Sequence, residues 1–250
     1  MKKINVKTIA SDEEKNNRES FLETFRNCPL PENELISNLG LFEKRQEFAK
    51  KLFFYEIYRK ILNIHGDIIE FGTRWGQNLV TLNNLRGILE PYNYSRKIIG
   101  FDTFEGFREL DKKDGTHEII KEGAFNVTDN YESYIKQVLE YHETESPLSH
   151  IKKNFVIKGD ASVKLKEYLI NNPQTIIAFA YFDFDLYSPT LKCLDLIKNH
   201  ITKGTVIGFD ELNDPHFPGE TVALMESFGI KNVTIRRFSF CGIQSYLIIE

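Results

Sequence analysis

The stretch Ile176-Ile-Ala-Phe-Ala-Tyr-Phe-Asp-Phe-Asp-Leu-Tyr187 decides the fold. Residues 176–182 are all apolar or aromatic, without the alternation of a strand that shows one face to water. A strand of that kind is covered on both sides, as in parallel sheets flanked by helices. It ends abruptly in Asp183 and Asp185, and a helical pattern follows over 190–199. Working outward, short runs rich in Ile, Val and Phe recur at 67–71, 97–101, 155–158 and 205–209. Helical patterns at 77–89, 162–170 and 221–228 lie between or after them. Strands alternating with helices, joined by right-handed crossovers, give an α/β, doubly wound, Rossmann-like and mostly parallel sheet. Residues 232–238 and 244–249 are expected to pair as an antiparallel hairpin across Ser239-Phe240-Cys241-Gly242 on one edge.

The flanking regions read differently. Ser11-Asp12-Glu13-Glu14 has the form of a helix N-terminus. From residue 41 to 64, Phe42, Phe48, Leu52, Phe53, Ile57, Ile61 and Leu62 recur at helical spacing, and Gly66 supplies the stop. The connection 108–151 is unusually long, with a charged first half and a helical pattern over 131–141, as binding loops often are.

Composition narrows the function classes. An aromatic content of 13% and a hydrophobic content of 41% exclude a disordered chain. With 32 basic against 36 acidic residues, bulk charge gives no reason to expect nucleic acid as a partner. The longest apolar run, 176–182, is far short of the roughly 20 residues that a membrane span needs. The first residues carry lysines but no apolar core, so no secretory signal is expected. Cys28, Cys193 and Cys241 are odd in number and far apart, which points to reduced thiols and a cytoplasmic protein.

In such sheets ligands bind outside the carboxyl ends of the strands. The first strand runs into Glu70-Phe71-Gly72-Thr73-Arg74-Trp75-Gly76, where the glycines allow a tight turn and a close helix start. The spacing is not Gly-x-Gly-x-x-Gly, and no tyrosine has a lysine four residues on, so an NAD-dependent nucleotide-sugar oxidoreductase is disfavoured. Asp102 ends the second strand, where a carboxylate can hold a ribose or cap a turn. Asp160 follows the third and can meet an adenine amino group or N-cap a helix. The fourth and fifth strands end in Asp183-Phe-Asp185 and Asp210-Glu211. As neighbours they would crowd up to four carboxylates together, which calls for a cation, with Mg²⁺ or Mn²⁺ suited to oxygen ligands. Asp185 and Asp210 can also serve as caps. Arg74, Trp75, Asp185, Tyr187 and His216 are candidates for the substrate side, although Trp75 is equally suited to the core and His216 to an exposed loop.

The ordered set Ile69-Glu-Phe-Gly-Thr-Arg-Trp-Gly76, Gly100-Phe-Asp-Thr-Phe-Glu-Gly106, Lys158-Gly-Asp-Ala161, Phe182-Asp-Phe-Asp-Leu-Tyr187 and Gly208-Phe-Asp-Glu211 resembles the class I S-adenosylmethionine-dependent methyltransferases. More narrowly it resembles the macrocin O-methyltransferase family. The resemblance implies a seven-stranded sheet with an antiparallel last strand. It also implies a helical lid or oligomerisation segment over 1–65, a methyltransferase domain over 66–250 with an insertion at about 108–151, and a homodimer. It assigns Glu70, Gly72, Thr73, Gly76, Asp102, Thr103, Phe104, Asp160, Ala161 and Asp183 to S-adenosyl-L-methionine. Asp183, Asp210 and Glu211 fall to Mg²⁺ or Mn²⁺, with Asp183 also the general base. The family usually carries two aspartates where this chain has Asp210-Glu211. The acceptor implied is a small molecule, a sugar or nucleotide-linked sugar of polysaccharide or natural-product biosynthesis, with a phosphorylated or amide-bearing molecule as the alternative.

Overall fold

The computed structural model describes residues 10–250, which divide into two compact units, one ending at Ala49 and the other running from Lys50 to Glu250. In the first unit, α1 (Asp12–Arg26) opens with the capping box that its sequence announces. Ser11 Oγ accepts from the Glu14 amide at 3.2 Å, and Glu14 Oε2 accepts from the Ser11 amide at 2.8 Å. Two donors that the first turn would otherwise leave orphaned are satisfied reciprocally. After the short α2 (Glu32–Ser37), a 3-10 turn brings Phe42 against Phe25, with ring centroids 4.9 Å apart.

The second unit takes most of α3 (Arg45–Ile61), whose Phe53, Phe54, Ile57, Tyr58 and Ile61 are buried at helical spacing. Its sheet comprises β1 (Asp67–Phe71), β2 (Ile98–Asp102), β3 (Asn154–Lys158), β4 (Ile177–Phe182), β5 (Ile201–Phe209) and β6 (Ser245–Ile248). The order is β3-β2-β1-β4-β5-β6, all pairs parallel except β5 with β6. The helices are α4 (Gln77–Leu89), α5 (Tyr131–Thr144), α6 (Ala161–Asn171), α7 (Tyr187–Ile197) and α8 (Gly219–Ser227). β4 is buried at every position, as an apolar run without alternation requires.

The strand count corrects the expectation of seven. Among the described residues the sheet has six strands, and the region 232–238 contributes only one antiparallel bridge, Arg236 with Tyr246. The reason lies in its side chains. Thr234, Ile235, Arg236 and Arg237 are exposed in succession, so the segment has no apolar face to hold it in register against β6.

Register places the site. Phe71 pairs with Phe101 and with Phe182, and Phe182 with Phe209, so four strands end level on four fully buried phenylalanines. Neighbouring rings lie 5.7, 4.7 and 5.4 Å apart, forming an apolar floor beneath the turns that follow. The residue after each phenylalanine is Gly72, Asp102, Asp183 or Asp210.

Candidate active site

The ladder of the sheet continues into the acidic turns. The Asp183 amide donates to Phe71 O and the Asp210 amide to Phe182 O, both at 2.9 Å. Asp183 and Asp210 therefore stand side by side because β4 and β5 are neighbours in register. Between them lies the ammonium of Lys50, with Nζ 3.1 Å from Asp183 Oδ2 and 3.0 Å from Asp210 Oδ1. Asp210 Oδ1 also accepts from Tyr181 Oη at 2.5 Å and from Gln244 Nε2 at 2.9 Å. Two further acids close the cluster. Asp185 and Glu211 are neighbours whose carboxyl groups act on each other. Glu220 is fully buried at the start of α8, where its Oε1 accepts from the Phe184 amide at 2.9 Å and ties the two acidic loops together.

These contacts set the electrostatics. For Asp210, burial disfavours charge, but Lys50, Tyr181 and Gln244 outweigh it and hold the carboxyl below its ordinary range. Asp183 moves the other way, pushed up to about 7 by burial and by the charge of Asp210, with Lys50 opposing. Burial raises Glu211 to about 12, and Asp185 beside it adds to the rise. Burial also raises Glu220, and Asp185 and Asp183 add to the effect. Lys50 loses by burial, yet Asp183 and Asp210 hold its ammonium charged.

The end of β1 and the turn after it carry a second feature. Glu70 is fully buried, neither carboxylate oxygen has a hydrogen-bond partner, and the buried Thr73 hydroxyl is also unpaired. Burial pushes Glu70 up to about 8, with Asn78 nearby offsetting part of the rise. Gly72 sits at φ +88°, and a Cβ there would lie 1.9 Å from the Asp183 carbonyl oxygen, so only glycine lets the two turns pass. Gly76, at φ +76°, gives its missing Cβ space to the Ile135 side chain. Across the cleft, Asp102 Oδ2 accepts from the Arg74 amide at 2.6 Å and Oδ1 from the Phe104 amide at 2.5 Å. Thr103 closes that turn by donating to Gly106 O.

Other residues singled out in the sequence lie in varied surroundings. Asp160 N-caps α6, accepting from the Ser162 and Val163 amides, and Ala161 is buried behind it. Arg74 lies with its guanidinium 4.8 Å from the Phe125 ring centroid, while the ring of Trp75 packs edge-on against Tyr131. Tyr187 joins a surface cluster, its hydroxyl donating to Glu226 at 2.6 Å with Lys113 Nζ 4.1 Å from its ring centroid. The exposed His216 ring meets His117, from the long insertion, at 4.8 Å. Sequence reasoning missed Lys50, Glu220, Tyr181 and Gln244. A signal for Lys50 existed: it precedes Phe53, Phe54 and Ile57 by one and two helical turns and so shares the inward face of α3. Glu220 carried none, since a glutamate in a first helical turn is ordinarily solvated.

Comparison with known proteins bears on the fold and class of the whole chain. No protein-family model and no curated protein matches the chain. Among solved structures, the calicheamicin methyltransferase CalS11 is 36% identical with a TM-score of 0.93, the match covering 99% of this chain and 97% of that one. The apo form of CalS11, described as a TDP-rhamnose 3'-O-methyltransferase of calicheamicin biosynthesis, gives a TM-score of 0.84 at 36% identity over 96% of each chain. The O-methyltransferase NovP shares the fold, with a TM-score of 0.59 at 15% identity over 80% of this chain and 79% of that one. The strand order β3-β2-β1-β4-β5 with an antiparallel edge strand is shared with class I methyltransferases, and the near full-length match to CalS11 makes the chain an S-adenosylmethionine-dependent O-methyltransferase. The chain belongs to the macrocin O-methyltransferase-like family of that class, together with CalS11.

Proposed function

We propose that the protein transfers a methyl group to a hydroxyl of a sugar, most simply a nucleotide-linked sugar, with Asp183 as general base. The observation that carries this reading is the pair Asp183 and Asp210, fixed side by side over an apolar floor and next to the unpartnered Glu70. That CalS11 is described as a TDP-rhamnose enzyme supports the class of acceptor. The residues fit S-adenosylmethionine. An unpaired buried carboxylate at Glu70 suits an amino-acid ammonium, and Asp102, with lone pairs to spare beyond its two amide contacts, suits ribose hydroxyls. Gly72, Thr73, Gly76, Thr103, Phe104, Asp160 and Ala161 would line the same ligand.

When bound, S-adenosylmethionine would supply a sulfonium methyl as the electrophile for a hydroxyl oxygen, leaving as S-adenosylhomocysteine. Asp183 would accept the hydroxyl proton on its carboxylate, a contribution of roughly 10²–10⁴-fold. A carboxyl raised to about 7 is matched to that task near neutral pH. Asp210, held ionised by its own three partners, keeps negative charge beside the base without competing for the proton. Arg74, Trp75, Asp185, Tyr187 and His216 remain the proposed acceptor side.

The reading includes a divalent cation, Mg²⁺ or Mn²⁺, on Asp183, Asp210 and Glu211, where it would lower the hydroxyl pKa. The candidate donors are all carboxylate oxygens, the ligand type that Mg²⁺ and Mn²⁺ take, with the Lys50 ammonium between Asp183 and Asp210. As they stand, no three His, Cys, Asp or Glu side chains among the described residues are arranged to hold a metal ion. A homodimer and a cytoplasmic site of action complete the proposal, the latter supported by the three free cysteines. The test is turnover: with TDP-linked deoxysugars and S-adenosylmethionine, mass spectrometry should find singly methylated product. Binding of S-adenosylhomocysteine without methylation of any sugar nucleotide or glycoside would sink the acceptor assignment.

A further inference from the structure

We infer that the guanidinium of Arg74, besides bordering the acceptor, holds the carboxylate at the amino-acid end of S-adenosylmethionine, on the reading above that Glu70 meets its ammonium. That end of the donor carries one positive and one negative group, and a site that answers only the first leaves the second among acids. Asp183, Asp185 and Asp102 all act on the charge of Arg74, so a carboxylate arriving there is repelled unless a cation meets it. Two cations act on Asp185, namely Lys50 and Arg74. Lys50 lies between Asp183 and Asp210, with Nζ 3.1 and 3.0 Å from their oxygens. Arg74 is unspent. Its side chain forms no hydrogen bond or ion pair with any described residue, and its Nε is buried without a partner. A guanidinium stays charged at any working pH, and its planar fork of donors matches a carboxylate.

The contacts that the guanidinium does make are with rings, 4.8 Å from the Phe125 centroid and 6.0 Å from that of Trp75. A ring has no lone pair for the N–H donors, so these contacts place the group and leave its fork for an oxyanion. Phe125 is itself steadied by Phe107, 5.1 Å away, within a small cluster that includes Ala124 and Leu186. The backbone is fixed as well. Arg74 stands at φ +46°, which costs strain in any residue with a side chain, and its amide donates to Asp102 Oδ2 at 2.6 Å. Asp102 suits the ribose, and Glu70, four residues before Arg74 and near the end of β1, suits the ammonium. The residue with the unspent cation therefore adjoins both of the donor's other anchors, one by hydrogen bond and one along the chain. Through Phe125, the long insertion takes part in holding the donor.

The test is calorimetric titration of the wild type, Arg74→Met and Arg74→Lys with two ligands. One is S-adenosylhomocysteine, and the other is its decarboxylated analogue, S-adenosyl-3-thiopropylamine, which keeps the ammonium. Melting temperatures without ligand check that both variants are folded. Arg74→Met should bind S-adenosylhomocysteine about tenfold more weakly or worse, the value of a hydrogen bond to a charged group. Arg74→Lys, which keeps the charge but not the fork, should fall between. All three proteins should bind the decarboxylated analogue with equal affinity. Unchanged affinity of Arg74→Met for S-adenosylhomocysteine, with only the KM of the acceptor raised, would overturn the assignment and leave Arg74 to the acceptor. An equal loss for both ligands would also overturn it, because the effect would not come from the carboxylate. Failure of the wild type to bind S-adenosylhomocysteine at all would sink the donor reading itself, and the role of Arg74 with it.

Discussion

Two buried clusters of charge in the larger unit obey opposite rules. Behind the sheet, Arg86 is ion-paired with Glu143, which also meets Lys153 at 2.5 Å, and Arg96 binds Glu90 at 2.6 Å. The cations left over there are spent on carbonyls: Arg96 donates to Gly66, Ile61 and Ile64, and Lys153 to Leu148 and Ile151. Glu90 consequently titrates below its ordinary value, because Arg96, Asn93 and Tyr58 outweigh burial. At the acid site the ledger is lopsided, and Asp183, Asp185, Glu211 and Glu220 are all raised. A cluster built for stability satisfies its charges internally, whereas a surplus of one sign marks a place that expects a ligand.

The sharpest way to break the comparison is to cut each cluster once and read different quantities. Asp183→Asn should lower methyl transfer by roughly 10²–10⁴-fold. Calorimetry should find its affinity for S-adenosylhomocysteine within a few fold of the wild type. Arg86→Met should do the reverse. It removes one of the two cations on buried Glu143 and leaves Lys153, at a cost of about 1.5–3 kcal/mol in denaturant unfolding. Turnover per folded molecule should hardly change. If Arg86→Met unfolds no more easily than the wild type, the balanced cluster is not structural and the contrast fails.

A smaller effect has the opposite sign. Asp185 sits in the left-handed region at φ +61°, where Asn is among the least strained side chains, and it is crowded by other acids. Asp185→Asn should therefore keep or raise stability by up to about 1 kcal/mol while it lowers turnover. Thermal unfolding and initial rates measured on the same preparation decide the point, and a loss of both would put Asp185 with the structural charges.

How much of this contrast the sequence carried depends on the kind of signal. The sheet was legible because continuous apolar runs such as 176–182 leave few alternatives, and Asp183 and Asp210 were legible because they follow such runs directly. What was not legible came from other periods and other distances. The run 232–238 has strand-like residues, yet only tertiary context shows that nothing covers its outer face. Lys50 reaches the site from a helix 133 positions before Asp183, and Gln244 from just ahead of the edge strand, 34 positions after Asp210. Asp114, in the charged first half of the insertion, is 1% exposed and accepts from the Tyr187 amide at 2.6 Å, fastening the insertion to the start of α7. Partners that meet only through the fold leave no spacing to count.

The subtlest prediction concerns Glu70, near the end of β1, and it separates ligand-ready charge from satisfied charge by pH. Charged groups acting on Glu70 are Asp183, which raises its pKa, and Lys50, which lowers it, but burial dominates. In the folded chain the carboxyl holds its proton up to about 8, whereas its ordinary value is 4.5. Below the ordinary value both states are protonated and pH has no effect through this group. Between the two values the unfolded chain ionises first and binds fewer protons, so stability falls as pH rises, and the fall levels off above the folded value. Glu70→Gln removes the group, so subtracting its melting curve from that of the wild type between pH 5 and 9 isolates this slope. A saturating concentration of S-adenosylhomocysteine should flatten it, because the ligand's ammonium pairs with ionised Glu70 and favours release of the proton. Parallel curves for wild type and Glu70→Gln without ligand would show that Glu70 is already satisfied, and would move it into the same class as Glu90.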